Sequence, residues 1–142
     1  MSAELRPGAE LGPSVWLEIT QARIDAFAEA TDDRQAIHVD PDFAAAGPFG
    51  ETVAHGLLTL SLIVPMWAEV AGPHKGTTLN YGLNRVRFPA PVPSGSRIRA
   101  RFRVESVEPV AGGTQAAIAA TVEREGHDKP VCVAELLLRF LG

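Results

Sequence analysis

A chain of 142 residues, 46% hydrophobic and 21% charged, has the length and composition of one globular domain with a full core. A net charge of −4 with the basic residues scattered argues against a nucleic-acid partner, and a single cysteine, Cys132, excludes an intramolecular disulfide and a cysteine-built metal site. The N-terminus lacks a basic region followed by an apolar run, and Glu69 closes the longest apolar stretch short of membrane-spanning length, so a cytoplasmic protein with no membrane contact is expected.

The expected organisation is one domain over 1–142, with residues 1–14 a loose lead-in marked by Pro7, Gly8, Gly12 and Pro13. A short strand is expected from Val15 to Ile19. Thr20 is a credible N-cap for a helix whose face is Ile24, Phe27, Ala28 and Thr31, ending near Ala30 and delivering Asp33 and His38 into a loop. Pro41 to Ala46 predicts a short helical turn, broken by Gly47-Pro48. From His55 to Val70 the chain is apolar on nearly every side, the pattern of a helix buried all round, with Pro65 removing one backbone donor. Beyond Gly72-Pro73 the period becomes alternating. Asn80 to Phe88 reads as a strand, and Ile98, Ala100, Phe102 and Val104 alternate with four arginines from Arg97 to Arg103, a strand with one wet face. Gly112-Gly113 turns into a strand through Ala116, Ile118, Ala120 and Val122, and the turn from Glu125 to Pro130 leads into a last strand, Val131 to Phe140. Helices followed by long antiparallel strands predict an α+β layer fold, a sheet around one apolar helix.

The chemistry sits at the ends of the first and second long helices. Asp33 and His38 lie five residues apart after the first helix, and a carboxylate and an imidazole that reach one water make a general acid/base pair. On residues alone, a polar loop with Asp33 capping a turn and His38 partly buried is the commoner reading of such a pair. Gly56 opens the apolar helix, where its role is close packing, or a backbone N–H offered to a developing oxyanion, or both. His55, just before it, is read as structural, its imidazole bonded to loop backbone. Arg85 and Arg87 are either a solvated strand face or donors to a phosphate. The arginines from Arg97 to Arg103 read as a solvated outer face. His74 and His127 read as surface groups in turns, and Cys132, Trp16 and Trp67 as core.

The segment Phe27 to Ala44 resembles the signature of the MaoC-like (R)-specific enoyl-CoA hydratases. Thr31 stands at its serine, Asp32 at its glycine, Asp33 at its catalytic aspartate, Gln35-Ala36 at its Asn-Pro, and His38 at its catalytic histidine. Ala54-His55-Gly56 and the stretch from Asn80 to Pro93 continue the match, the latter resembling the nodulation-protein-N-like branch. The resemblance implies a hot-dog fold and a reversible syn hydration of a trans-2-enoyl thioester to the (R)-3-hydroxyacyl product. In it Asp33 and His38 hold the water and the Gly56 N–H polarises the thioester carbonyl. It implies no cofactor and no metal, coenzyme A entering only as part of an acyl-CoA substrate, with an acyl-carrier-protein thioester as the other form. Gln35, Ala36, Ile37, His55, Arg85 and Arg87 are then candidate substrate contacts, with Ala36 enlarging the acyl pocket where related sequences carry an aromatic. Asp32 places a second carboxylate beside Asp33, which would raise the pKa of Asp33 unless it points away. A homodimer is expected, because pairing of strand edges removes an aggregation-prone surface. A hot-dog thioesterase and a non-catalytic acyl-thioester-binding module are the alternatives.

Overall fold

The computed structural model describes residues 5–142; the first four residues of the lead-in lie outside the described residues. Strands β1 (Glu10–Leu11) and β2 (Leu17–Glu18) precede helices α1 (Gln21–Thr31), α2 (Ala36–Val39), α3 (Pro41–Ala45) and α4 (Gly56–Ala71). Four long strands follow: β3 (Thr77–Arg87), β4 (Arg97–Val110), β5 (Gly113–Arg124) and β6 (Cys132–Leu141). They form one antiparallel sheet in the order β1-β4-β5-β6-β3, with β2 also on β4. Helix α4 packs against one face of it, chiefly on β4 and β6, the hot-dog arrangement.

The alternating residues explain why the sheet has one dry face. Ile98, Ala100, Phe102 and Val104 of β4, Ala116 to Val122 of β5 at every second position, and Ala134, Leu136, Leu138 and Phe140 of β6 are buried together. Against them α4 presents Leu58, Leu62, Ile63, Met66 and Trp67, with Trp67 edge-to-face on Phe102 at 5.3 Å. Cys132 is buried among these side chains, and burial pushes its thiol up to about 11. The arginines of β4 stand on the wet face. Arg99 and Arg101 share Glu123, Arg97 meets Glu125 at 2.9 Å, and Arg103 meets Glu105 at 3.6 Å. The Arg99 partnership holds the Glu123 carboxyl below its ordinary range against the cost of burial.

Five expectations need correction. The lead-in is not loose from Gly8 onward: its main chain bonds to Val104, Glu10 and Leu11 pair with β4, and the Ser14 hydroxyl accepts from the Ala100 N–H at 3.0 Å. The Val15–Ile19 strand shrinks to Leu17–Glu18, since the Val15 N–H turns to the Glu69 carboxylate at 2.9 Å. Helix α4 is buried on one side only; Leu57 is 61% exposed, and Val64, Pro65 and Ala68 share its open side. Trp16 is half-buried under the Arg99 guanidinium, 4.1 Å from the ring centroid, rather than in the core. His74 is also less superficial than expected, with its Nε2 buried and its ring against Phe140.

What positions the site is the path between α1 and α4. Thr20 caps α1 by accepting from the Arg23 N–H, as its residue type predicts, and Asp32 ends the helix in the left-handed region at φ 62°. Where a loop is expected from Asp32 to Asp40, residues Ala36–Val39 wind into a turn, α2, and the Asp40 carboxylate then caps α3. Residues 52–54 pair with 92–94, which sets His55 and Gly56 beside the strand-to-turn segment after β3.

Candidate active site

Asp33, His38 and His55 converge, each offering an atom within 4.8 Å of the others'. The fold immobilises His38 from several directions. Its Nδ1 lies 2.7 Å from the Val53 carbonyl, which only accepts, so Nδ1 carries the proton and Nε2 the lone pair. Its own carbonyl accepts from the Gln21 amide at 2.7 Å, while the Gln21 oxygen accepts from the buried Thr52 hydroxyl at 2.6 Å. The Val53 N–H returns to the Ile37 carbonyl at 3.1 Å. Gln21 and Thr52 escaped the sequence reading; an amide at the N-terminal turn of an amphipathic helix looks like any solvated residue.

Asp33 is half-buried beside this imidazole, and its neighbour does not crowd it. The Asp32 carboxylate turns outward to Arg34 at 2.7 Å. Glu29 and Asp32 together hold the Arg34 guanidinium still more firmly in its charged form. The left-handed backbone at Asp32 also explains why a glycine suits that position.

A cleft of about 340 Å³ opens beside the pair. Ile37 and His38 form one wall, Gly56 and Thr59 of α4 another, and Phe49, Phe88 and Val131 close it, so the lining is mainly apolar. Gly56 stands at the first helical position, where the N–H has no intrahelical acceptor. A Cβ there would lie 3.1 Å from the Phe88 ring, so glycine lets that ring close over the helix end.

The remaining candidates fall elsewhere. Ile37 lines the cleft, but half-buried Ala36 and exposed Gln35 do not, so the expected enlargement of the pocket by Ala36 has no place in this wall. His55 is buried outside the cleft wall, with Nε2 on the Asp33 carbonyl at 2.9 Å, the loop-backbone bond expected of it. Arg85 and Arg87 are exposed on β3; Arg85 borders a separate groove on the outer face of the sheet, and Arg87 bonds the Val86 carbonyl.

The Asp33–His38–His55 spacing resembles that of a metal centre, yet the ring geometry opposes one. The two imidazoles stack with centroids 3.8 Å apart at 24°. A bound ion must lie in the plane of each ring, and these planes meet on the order of 8 Å away, against a Zn–N bond of about 2 Å.

A family model described as "MaoC like domain" matches residues 2–135, nearly the whole chain. The chain belongs to the MaoC-like family. Within it, the chain is 53% identical over 138 residues to 3-hydroxyacyl-thioester dehydratase Z of Mycobacterium tuberculosis, covering 95% of this chain and 91% of that one. It is 45% identical over 134 residues to nodulation protein N of Rhizobium leguminosarum, covering 91% and 83%. Among solved structures, an R-hydratase of Pseudomonas aeruginosa superposes with a TM-score of 0.78 at 27% identity, covering 97% of this chain and 83% of that one. The MaoC-like resemblance, its nodulation-protein-N-like branch and the hot-dog fold read from the sequence are borne out.

Proposed function

We propose that this MaoC-like protein is an (R)-specific enoyl-thioester hydratase, reversible as a 3-hydroxyacyl-thioester dehydratase. The observation that carries the reading is the approach of Asp33 to an imidazole with a fixed tautomer, at an apolar cleft that also receives the N-terminus of α4. A water between the carboxylate and His38 Nε2 is polarised by both groups. Its oxygen bonds to C3 of the enoyl chain as one O–H bond breaks, and the π electrons move towards the thioester oxygen. A proton from the same pair then reaches C2 on the same face, completing net addition of water. The Gly56 N–H and the dipole of α4 stabilise the enolate oxygen. Each proton-transfer role is worth roughly 10²–10⁴ in rate.

The acyl chain lies along the apolar wall, with Ile37 beside the reacting carbons. No cofactor or metal is required, and coenzyme A takes part only as the substrate's carrier. Arg85 and Arg87, exposed on the strand that leads to Phe88, suit its phosphates. The active form is a homodimer. Supporting this, among the described residues β3 pairs only with β6, and Leu79, Tyr81 and Leu83 on it are exposed together with Leu57, Val64 and Phe88. Incubation with trans-2-butenoyl-CoA tests the function: the conjugated-enoyl absorbance is expected to fall without release of free thiol. Thiol release would mark a thioesterase, and no change in either signal a binding module.

A further inference from the structure

His55 makes more contacts with the catalytic pair than a filler outside the cleft wall requires. Its Nε2 faces the Asp33 carbonyl, an obligate acceptor, so Nε2 carries the proton and Nδ1 the lone pair. That Nδ1 is buried with no hydrogen-bond partner among the described residues, in a residue only 2% exposed. An orphaned buried acceptor is destabilising, and the position retains it. The ring explains why. One face stacks on His38, and Phe27 packs against the ring at 4.8 Å. A spacer alone would be apolar, and a hydrogen bond alone needs no ring; His55 supplies both at once.

We propose that His55 is a positioning residue that sets the separation of Asp33 and His38, gripping the Asp33 main chain through Nε2–H and the His38 imidazole through a stacked face. The inference rests on the hydratase reading of the site. Without the stack, His38 keeps its Val53 bond but gains freedom to swing about it. Without the Nε2–H bond, the turn after α1 carries Asp33 away from Nε2 of His38. Because His55 directly precedes Gly56, the same dipeptide ties the acid/base pair to the helix end that faces the thioester oxygen. Small displacements at such a site cost rate while leaving the apolar binding wall untouched.

Two variants separate the contacts: His55→Phe keeps a ring without the donor, and His55→Gln keeps a donor without the ring. Long-range ¹H–¹⁵N spectra at pH 7.5 are expected to show His55 as the Nε2–H tautomer and His38 as the Nδ1–H tautomer in the wild type. In both variants His38 should keep its Nδ1–H tautomer while its Nε2 resonance shifts or broadens, and kcat on trans-2-butenoyl-CoA should fall by about tenfold to a hundredfold with KM within about threefold. An unchanged His38 spectrum with kcat within about twofold in either folded variant overturns the proposal, as does a loss confined to KM. If neither variant folds, the wild-type spectrum decides, and an Nδ1–H tautomer at His55 overturns it. A wild type that hydrates no enoyl thioester sinks the hydratase reading, while the tautomer spectra still test the positioning.

Discussion

On the α1–α2 side of the cleft, polar groups are satisfied within the chain: Gln21 ties Thr52 to the His38 carbonyl, Val53 fixes the imidazole, and Asp40 caps α3. On the β3 side the same chain leaves an eleven-residue edge strand exposed on both faces, with Tyr81 56% exposed under the Arg139 guanidinium. The difference teaches where each part of the function is assembled. The proposed proton transfer tolerates little displacement, and its groups are held by hydrogen bonds within one chain. The apolar side chains of β3 and the open side of α4 gain nothing in water, and the proposed second copy covers them.

The largest effect should come from breaking the satisfied side. Asp33→Asn and His38→Ala are each expected to lower kcat by a factor on the order of 10² or more, with the fold intact by circular dichroism. Because both are proposed to act on one water, the double variant should be little worse than the more damaged single one. Wild-type-like hydration by either single variant would detach the pair from the chemistry.

On the open side, Leu83→Arg places a charge on the β3 edge and should convert a dimer into monomers at micromolar concentration, read by light scattering. Unchanged dimer mass would mean that the contact between copies lies elsewhere. Gln21→Ala sharpens the contrast from within: it strands the buried Thr52 hydroxyl and frees the His38 carbonyl, costing about 1–3 kcal/mol in stability. Chemical denaturation checks this, with a smaller accompanying loss of kcat.

Replacing Arg85 and Arg87 together by Ala should raise KM for a coenzyme A substrate by less than about tenfold and leave kcat unchanged, since each is an exposed charge. A fall in kcat instead would give β3 a part in the chemistry. The smallest change is expected at Asp32→Gly, which relieves the left-handed backbone while giving up an exposed ion pair; Tm should rise by about 2 °C, with activity retained. A large loss of activity would show that the second carboxylate acts on Asp33.

Much of this was legible in the chain itself. The alternation through β4, β5 and β6 identified the dry face, because strand side chains have a period of two whatever they pack against. Thr20 announced its helix through a local capping bond, and the motif from Thr31 to His38 pointed to the family. Other features left no local trace. The pairing of residues 8–14 with β4 joins segments some ninety positions apart, and their Gly and Pro content argued only against regular structure. The solvated side of α4 carries Leu57 and Val64, which no hydropathy pattern distinguishes from core residues.

The sequence by itself determined the residue types of the chemistry, the order of the elements and the face each strand buries, since these follow from side-chain chemistry and backbone periodicity. Only the tertiary structure decided that Ile37 rather than Ala36 faces the cleft, because the turn of α2 sets which side chain points inward. It also decided that Asp32 looks away to Arg34, and that Gln21, Thr52 and His55 clamp the pair. Those contacts join positions 17 to 31 residues apart, and only the packing of α1 against α2 and the approach of residues 52–55 bring them within hydrogen-bond reach.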